Sequence, residues 1–121
     1  MMKNLHFILL FLVFWAPSSF AGEADVVDVK VSKEGNNSYR FTVTLLHKDT
    51  GWDHYANKWD IIDGKGIVLG TRTLHHPHVE EQPFTRSLSG VEIPDNIRAV
   101  TVRAHDSVHE YGGNVVNLEL P

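Results

Sequence analysis

Three imidazoles and two carboxylates are concentrated in residues 74–84, which read LHHPHVEEQPF. Two prolines in this stretch predict a loop, because proline cannot donate a hydrogen bond to a central strand. Pro77 favours extended backbone at His76, and side chains at positions i and i+2 of an extended chain point the same way, with Cα atoms about 6.6 Å apart. Two imidazoles at that spacing can bind one ion at Zn–N distances of about 2.0–2.1 Å. His76 and His78 are therefore predicted metal ligands.

Two other segments carry the remaining candidate ligands. Residues 47–57 contain His54, and residues 105–114 contain His105 and His109. A third nitrogen from one of these side chains, together with a carboxylate, would complete a tetrahedral or tetragonal site. The chain has no cysteine, and its two methionines are residues 1 and 2. Nitrogen and oxygen donors favour Zn²⁺, Cu²⁺ or Ni²⁺, so we expect a divalent transition metal, Zn²⁺ or Cu²⁺, as cofactor and partner.

A surface that is rich in histidine without binding any metal is the open alternative. Polar loops collect His, Asp and Glu, and a single H-x-H motif is a weak signal. His47 and His105 continue the alternation of the strands that precede them, so both are also compatible with ordinary strand-end positions.

The same loops carry residues that could contact a partner. Trp52, Asp53 and Tyr55 lie beside a glycine, and Glu80 and Glu81 lie in the proline loop. Aromatic side chains are enriched at interfaces, which predicts, as the second hypothesis, a metal-independent envelope module that binds a protein or a carbohydrate.

Catalysis has little support in the sequence. A metal hydrolase would need a carboxylate base, for which Glu80 or Glu81 would be the candidates. No nucleophile-elbow motif and no Gly-rich phosphate loop is present, and a sandwich of this size offers only a shallow pocket. The chain is therefore not predicted to be an enzyme.

The elements that must position these loops are strands. Period-2 alternation of apolar and polar residues recurs along the chain, whereas no segment shows a sustained helical period. Turn residues separate the alternating segments, and Asp63-Gly64-Lys65-Gly66 is a strong hairpin signal. The pattern predicts seven short strands, at residues 27–31, 39–45, 58–63, 67–73, 84–88, 100–104 and 116–120. Seven strands in about 100 residues are typical of an all-β, antiparallel, immunoglobulin-like or fibronectin-like sandwich.

Residues 87–94 (SLSGVEIP) and 97–106 (IRAVTVRAHD) carry a family resemblance. They resemble the second half of a fibronectin type III domain, in which a Leu…Pro connection leads into a strand that alternates as Val-x-Val-x-Ala. The resemblance covers about thirty-five residues and implies the seven-stranded sandwich alone, because such domains serve many functions. The sequence departs from the family in two ways. The tyrosine that forms the family's tyrosine corner is missing after Asn96, and the expected core tryptophan, Trp59, lies on the third strand, as it does in immunoglobulin domains.

In that topology the loops after strands two, four and six emerge at one end of the sandwich. All seven histidines beyond residue 21 fall in these three loops, and the loops of the opposite end contain none. The sequence therefore predicts one histidine-bearing pole.

A structural ion pair is predicted near the same pole. Arg86 shares the alternation of the apolar residues Phe84 and Leu88, and Asp106 shares that of Val102 and Ala104. Inward charges must be paired, so we expect a buried bridge between Arg86 and Asp106.

The N-terminus is typical of an export signal. A short basic start precedes an apolar run at residues 7–16, and Ser19 and Ala21 have the spacing that a signal peptidase reads. The run is too short to span a bilayer, which needs about 20 residues. We expect a cleaved signal peptide at 1–21, one domain at 22–121 with no membrane span, and a periplasmic or secreted location. The net charge of −4 disfavours nucleic acid as a partner.

Overall fold

The computed structural model describes residues 22–121, so the predicted signal peptide at 1–21 lies outside the described residues. The described chain is all-β and forms seven antiparallel strands in two sheets, as predicted. The strands are β1 (Asp25–Gly35), β2 (Ser38–Leu46), β3 (Ala56–Ile62), β4 (Val68–Thr73), β5 (Phe84–Glu92), β6 (Ala99–Asp106) and β7 (Val116–Glu119). This part of the chain has no helix that could cross a membrane.

One sheet has the order β1-β2-β5 and the other has the order β4-β3-β6-β7. The fourth strand pairs with β3, whereas in constant-type immunoglobulin domains it joins the other sheet. The more specific resemblance to fibronectin type III domains stays a prediction.

The core lies between the sheets and follows the alternation in the sequence. Tyr39, Phe41, Val43 and Leu45 of β2 are buried, and so is every second residue of β6 from Val100 onward. Trp59 of β3 is fully buried, as expected for a core tryptophan. Each such large apolar side chain contributes about 1.5–3 kcal/mol through removal from water.

The first strand departs from the predicted alternation. Val27 was expected to face inward, but it is exposed, while Val26 is buried. A register shift between Val26 and Asp28 interrupts the pairing with β2. Such a bulge inserts one residue into a strand and therefore changes which residues face the core.

The two sheets bring three loops to one pole, which we call the histidine pole: residues 47–55, 74–83 and 107–115. The end of β2 pairs with the start of β5, with Leu45 opposite Phe84, and the start of β3 pairs with the end of β6, with Ala56 opposite Asp106. The loops also contact one another, since Ser107 N–H donates to the Tyr55 carbonyl at 3.0 Å.

Candidate metal centre

Four side chains at the histidine pole form one compact group, His47, His54, Asp106 and His109, which we call the cluster. Donor atoms of His47, His54 and Asp106 all lie within 4.8 Å of one another. His54 Nε2 is 3.3 Å from His47 Nε2 and 3.2 Å from Asp106 Oδ1, and His109 Nδ1 is 3.3 Å from the same Oδ1. The cluster thus gathers three imidazole nitrogens and one carboxylate from two of the three loops and the end of β6.

His47 enters the cluster because the alternation of β2 continues past the end of the strand. Residues 41, 43, 45, 47 and 49 are all buried, so the imidazole faces the interior although it lies in the loop. Its Nδ1 contacts Asp49 Oδ1, which leaves Nε2 directed at the cluster. Burial lowers the pKa of His47, but the hydrogen bonds to Asp49 and Gly22 and the charges of Asp49 and Asp106 outweigh it and raise the pKa overall.

Asp49 fixes the orientation of the His47 ring from the side that faces away from the cluster. Its Oδ1 accepts a hydrogen bond from Ala56 N–H at 3.1 Å, and its Oδ2 accepts one from His78 N–H at 2.7 Å. Burial raises the pKa of Asp49, but the hydrogen bonds from His47, His78 and Ala56 outweigh burial and lower the pKa overall. A carboxylate that orients an imidazole from outside the coordination sphere is a common feature of metal sites.

Asp106 is fully buried at the end of β6. Its Oδ1 accepts hydrogen bonds from Val108 N–H at 2.8 Å and His109 N–H at 2.7 Å, which shapes the turn that carries His109 over the carboxylate. Its Oδ2 is buried and has no hydrogen-bond partner, and it lies 4.0 Å from His47 Nε2. Buried polar atoms normally have partners, and a cation would be a suitable partner for this oxygen.

A tight turn delivers His54 to the cluster. Gly51 and His54 form a bridge, with His54 N–H donating to the Gly51 carbonyl at 3.1 Å. Gly51 has φ of 148°, a backbone region that favours glycine. The side chains of His54 and His109 are 21% and 40% exposed, so an ion could reach the cluster from solvent on their side.

His76 and His78 lie outside the cluster, and their role as metal ligands stays a prediction. Their ring centroids are 4.8 Å apart, so the two side chains do share one side of the loop. The His78 ring, however, is buried and stacks on Phe84 at 4.0 Å, and both of its nitrogens lack hydrogen-bond partners. Burial, with the nearby charges of Arg86 and His76, lowers its pKa. The His78 ring therefore packs against the core.

His105 is also separate from the cluster, because it occupies an intermediate position on β6 between two buried residues. Its Nδ1 lies 2.7 Å from Asn57 Oδ1, and its ring contacts Tyr111 edge-on. Burial, followed by the charge of Lys58, lowers its pKa. Of the five predicted ligands, His54 and His109 belong to the cluster.

The predicted bridge between Arg86 and Asp106 is wrong. Arg86 Nη2 binds Glu81 Oε1 at 3.1 Å, and its guanidinium lies over the Phe84 ring at 5.6 Å. A long arginine stem can cover apolar surface while its charged end reaches solvent. Asp106 faces imidazoles instead.

The predicted contact residues are spread over the histidine pole. Trp52 is 67% exposed and meets Tyr55 edge-on at 5.5 Å, while Asp53 and Glu80 are exposed. Glu81 is occupied by Arg86, whose hydrogen bond and charge lower the Glu81 pKa.

Two important residues, His47 and Asp49, are missing from the set predicted from sequence. The available signal was the unbroken alternation from Tyr39 through Leu45, which makes both positions inward. Polar residues at inward positions need partners, so their appearance just beyond β2 was a sign of a buried polar site.

The chain is similar to a curated protein. It is named "Putative lipoprotein", comes from Halomicrobium mukohataei, and is 44% identical over 97 residues, or 80% of this chain. The match spans 47% of the relative, so the chain corresponds to about half of that protein's length. No family model matches the chain, and no solved structure matches it at a significant level.

Proposed function

We propose that this chain is an exported β-sandwich protein that binds one divalent transition-metal ion through His47, His54, His109 and Asp106. The observation that carries the proposal is the buried Asp106 carboxylate, whose Oδ1 contacts His54 and His109 and whose unpartnered Oδ2 faces His47. A bound cation would give this oxygen a partner and would balance the carboxylate charge.

The donor set favours Zn²⁺, with Cu²⁺ and Ni²⁺ as competitors. Three imidazoles and one carboxylate satisfy a tetrahedral Zn²⁺ ion, and the absence of sulfur donors argues against Cu⁺. The contact between His47 and Asp49 supports the proposal, because it fixes the proton on Nδ1 and frees the Nε2 lone pair for the ion.

Two observations support an exported location. The first 21 residues have the pattern of a signal peptide, and the relative from Halomicrobium mukohataei carries the name of a lipoprotein. The seven antiparallel strands in two sheets support the resemblance to fibronectin type III domains, which we propose as the structural class of the domain.

Metal titration of the purified, untagged domain tests the proposed function. Zn²⁺, Cu²⁺ and Ni²⁺ are compared by calorimetric titration and by melting temperature against a chelator-treated sample. One equivalent of ion should bind, and an ion at a hundredfold excess over Kd should stabilise the fold by roughly 2.7 kcal/mol. For a domain of this size, that corresponds to at least about 10 °C in melting temperature.

His109→Ala is the informative variant, because this side chain is partly exposed and its loss should leave the core intact. His76→Ala is the matched control, since it removes an exposed histidine of the same pole outside the cluster. His109→Ala should lose the metal-induced shift and His76→Ala should keep it. Absence of uptake by the wild-type protein would refute the proposed function.

An interaction module is the second candidate, favoured by the exposed Trp52 and its edge-on partner Tyr55. Such a pair could bind an envelope protein or a carbohydrate without any metal. Binding that survives chelation and disappears in Trp52→Ala would support this candidate.

A further inference from the structure

A short segment at the start of the described chain closes the cluster. Gly22–Asp25, which we call the strap, runs into β1, and both Gly22 and Ala24 are buried. Its far end is fixed to the loop after β6, where Asn114 N–H donates to Asp25 Oδ1 at 2.7 Å. Next to it, Val26 N–H donates to the Asn114 carbonyl at 2.9 Å.

The strap fits tightly, and glycines make the fit possible. A Cβ atom at Gly22 would lie 2.1 Å from His109 Cε1, and a Cβ atom at Gly113 would lie 2.0 Å from the Ala24 carbonyl oxygen. Neither distance is compatible with a real side chain. Glycine at positions 22 and 113 therefore leaves the space that the strap needs in order to pack against the cluster.

The Gly22 carbonyl oxygen is the point on which the three imidazoles converge. It lies 2.8 Å from His47 Nε2, 3.1 Å from His54 Nε2 and 3.0 Å from His109 Nδ1. A carbonyl oxygen has two lone pairs, so three donors exceed its ordinary capacity.

These distances fit hydrogen bonds, but they also fit one metal ion bound by the oxygen and the three nitrogens, which would remove the excess of donors. Ligands at about 2.1 Å from an ion are separated by about 3.0 Å when they subtend a right angle and by about 3.4 Å in a tetrahedron. The distances from the Gly22 oxygen to the three nitrogens match the first value, and the 3.3 Å between His47 Nε2 and His54 Nε2 matches the second. Asp106 Oδ1 lies 3.2 Å from His54 Nε2 and 3.3 Å from His109 Nδ1, and the unpartnered Oδ2 lies 4.0 Å from His47 Nε2.

We propose that the Gly22 carbonyl oxygen is a direct ligand of the bound ion, so that the strap supplies a fifth donor and closes the centre. This inference rests on the proposed metal-binding function. Zn²⁺ accepts five ligands as well as four, and a backbone oxygen adds no charge to the site. The cluster without the strap would then be an open, four-donor site.

Gly22→Ala tests the proposal, with Gly35→Ala as the matched control. Gly35 lies in β1, and nothing stands within 4 Å of the Cβ it would gain. Zn²⁺ affinity should fall about tenfold to a hundredfold in Gly22→Ala, the range seen when a group that shapes a metal site is lost, and it should not change in Gly35→Ala. Intact-mass measurement of each purified protein verifies that all the proteins compared begin at the same residue.

Substitution of Co²⁺ for Zn²⁺ separates ligation by Gly22 from a merely structural role. Five-coordinate Co²⁺ absorbs visible light more weakly than tetrahedral Co²⁺, so loss of the carbonyl ligand should strengthen the bands. Asp25→Ala is the second variant, in case Gly22→Ala does not fold. It detaches the far end of the strap at an exposed bond and should give the same spectral change with a smaller loss of affinity.

The possible outcomes separate the two proposals. A wild-type tetrahedral Co²⁺ spectrum that Gly22→Ala and Asp25→Ala leave unchanged would overturn the strap ligand while the side-chain site stands. Failure of the wild-type protein to bind Zn²⁺ or Co²⁺ would remove both the proposed function and this inference. Because a side chain at position 22 would also displace His109, the carbonyl ligand is supported only if Asp25→Ala, which leaves His109 in place, also binds more weakly and shows stronger bands.

Discussion

His47 and Asp106 face each other from opposite sheets of the sandwich, with His47 Nε2 and Asp106 Oδ2 4.0 Å apart and both side chains fully buried. Each continues the inward alternation of its strand, β2 for His47 and β6 for Asp106. The pair therefore marks the place where the core becomes polar at the histidine pole.

Replacement of Asp106 by asparagine should weaken metal binding while the fold is kept. Asparagine can still accept the hydrogen bonds from Val108 and His109 N–H, but it carries no charge for the ion. The expected loss of Zn²⁺ affinity is at least about tenfold, measured by competition with a chelating dye. Unchanged affinity would exclude Asp106 as a ligand.

Replacement of Asp49 by alanine should destabilise the domain even without metal. Three groups, His47 Nδ1, Ala56 N–H and His78 N–H, would lose their buried acceptor. Loss of hydrogen bonds to a buried charged group costs about 1.5–3 kcal/mol for each bond, so chemical denaturation should show a loss of at least about 3 kcal/mol. Asp53→Ala, at an exposed position of the same loop, is the control and should be close to neutral.

Acid should destabilise the metal-free domain through His78. Its pKa is lowered from 6.5 by burial, so the unfolded chain binds this proton more readily than the folded one. The contribution is fully present above pH 6.5 and is lost as the pH falls through the lower folded pKa.

The variant His78→Leu isolates this contribution, because the two unpartnered ring nitrogens make no hydrogen bond that leucine would lose. The free energy of unfolding of both proteins is measured between pH 7 and pH 5 with chelator present. The wild type should lose more stability than the variant over this range. Parallel pH profiles would contradict the role given to His78.

Trp52→Ala should leave stability unchanged within about 0.5 kcal/mol, because its side chain is mostly exposed. In the wild-type protein, the fluorescence of Trp52 should nevertheless respond to Zn²⁺, since His54 lies two residues away in the same tight turn. Trp59 and Trp15 are the other tryptophans of the chain, and Trp59 is fully buried, so a signal that disappears in Trp52→Ala is local to the histidine pole.

The strands could be predicted from the sequence because period-2 alternation reports directly which face of a strand is buried. The same alternation also identified Asp106 as inward, and the grouping of loops placed His54 and His109 at one pole. His47 was interpreted as an ordinary strand-end residue, because alternation alone does not show that an imidazole just beyond a strand remains buried. His76 and His78 showed the expected spacing, but spacing could not reveal that Phe84 would stack on one of the rings.

The strap was beyond any pattern in the sequence. Its contribution is a backbone carbonyl, which every residue possesses, and its position depends on distant glycines such as Gly113. Likewise, Arg86 was expected to point inward and pair with Asp106, but its flexible side chain reaches Glu81 near the surface, which strand alternation could not show.

In antibody domains a disulfide joins the second and sixth strands across the sandwich. This chain has no cysteine, yet its cluster takes His47 from just beyond the second strand and Asp106 from the end of the sixth. An ion held there would be a cross-link between the two sheets in a protein without sulfur chemistry. Such a cross-link would be insensitive to reductants and would open on acidification or chelation, so metal supply rather than redox state would set the resistance of the fold to proteolysis.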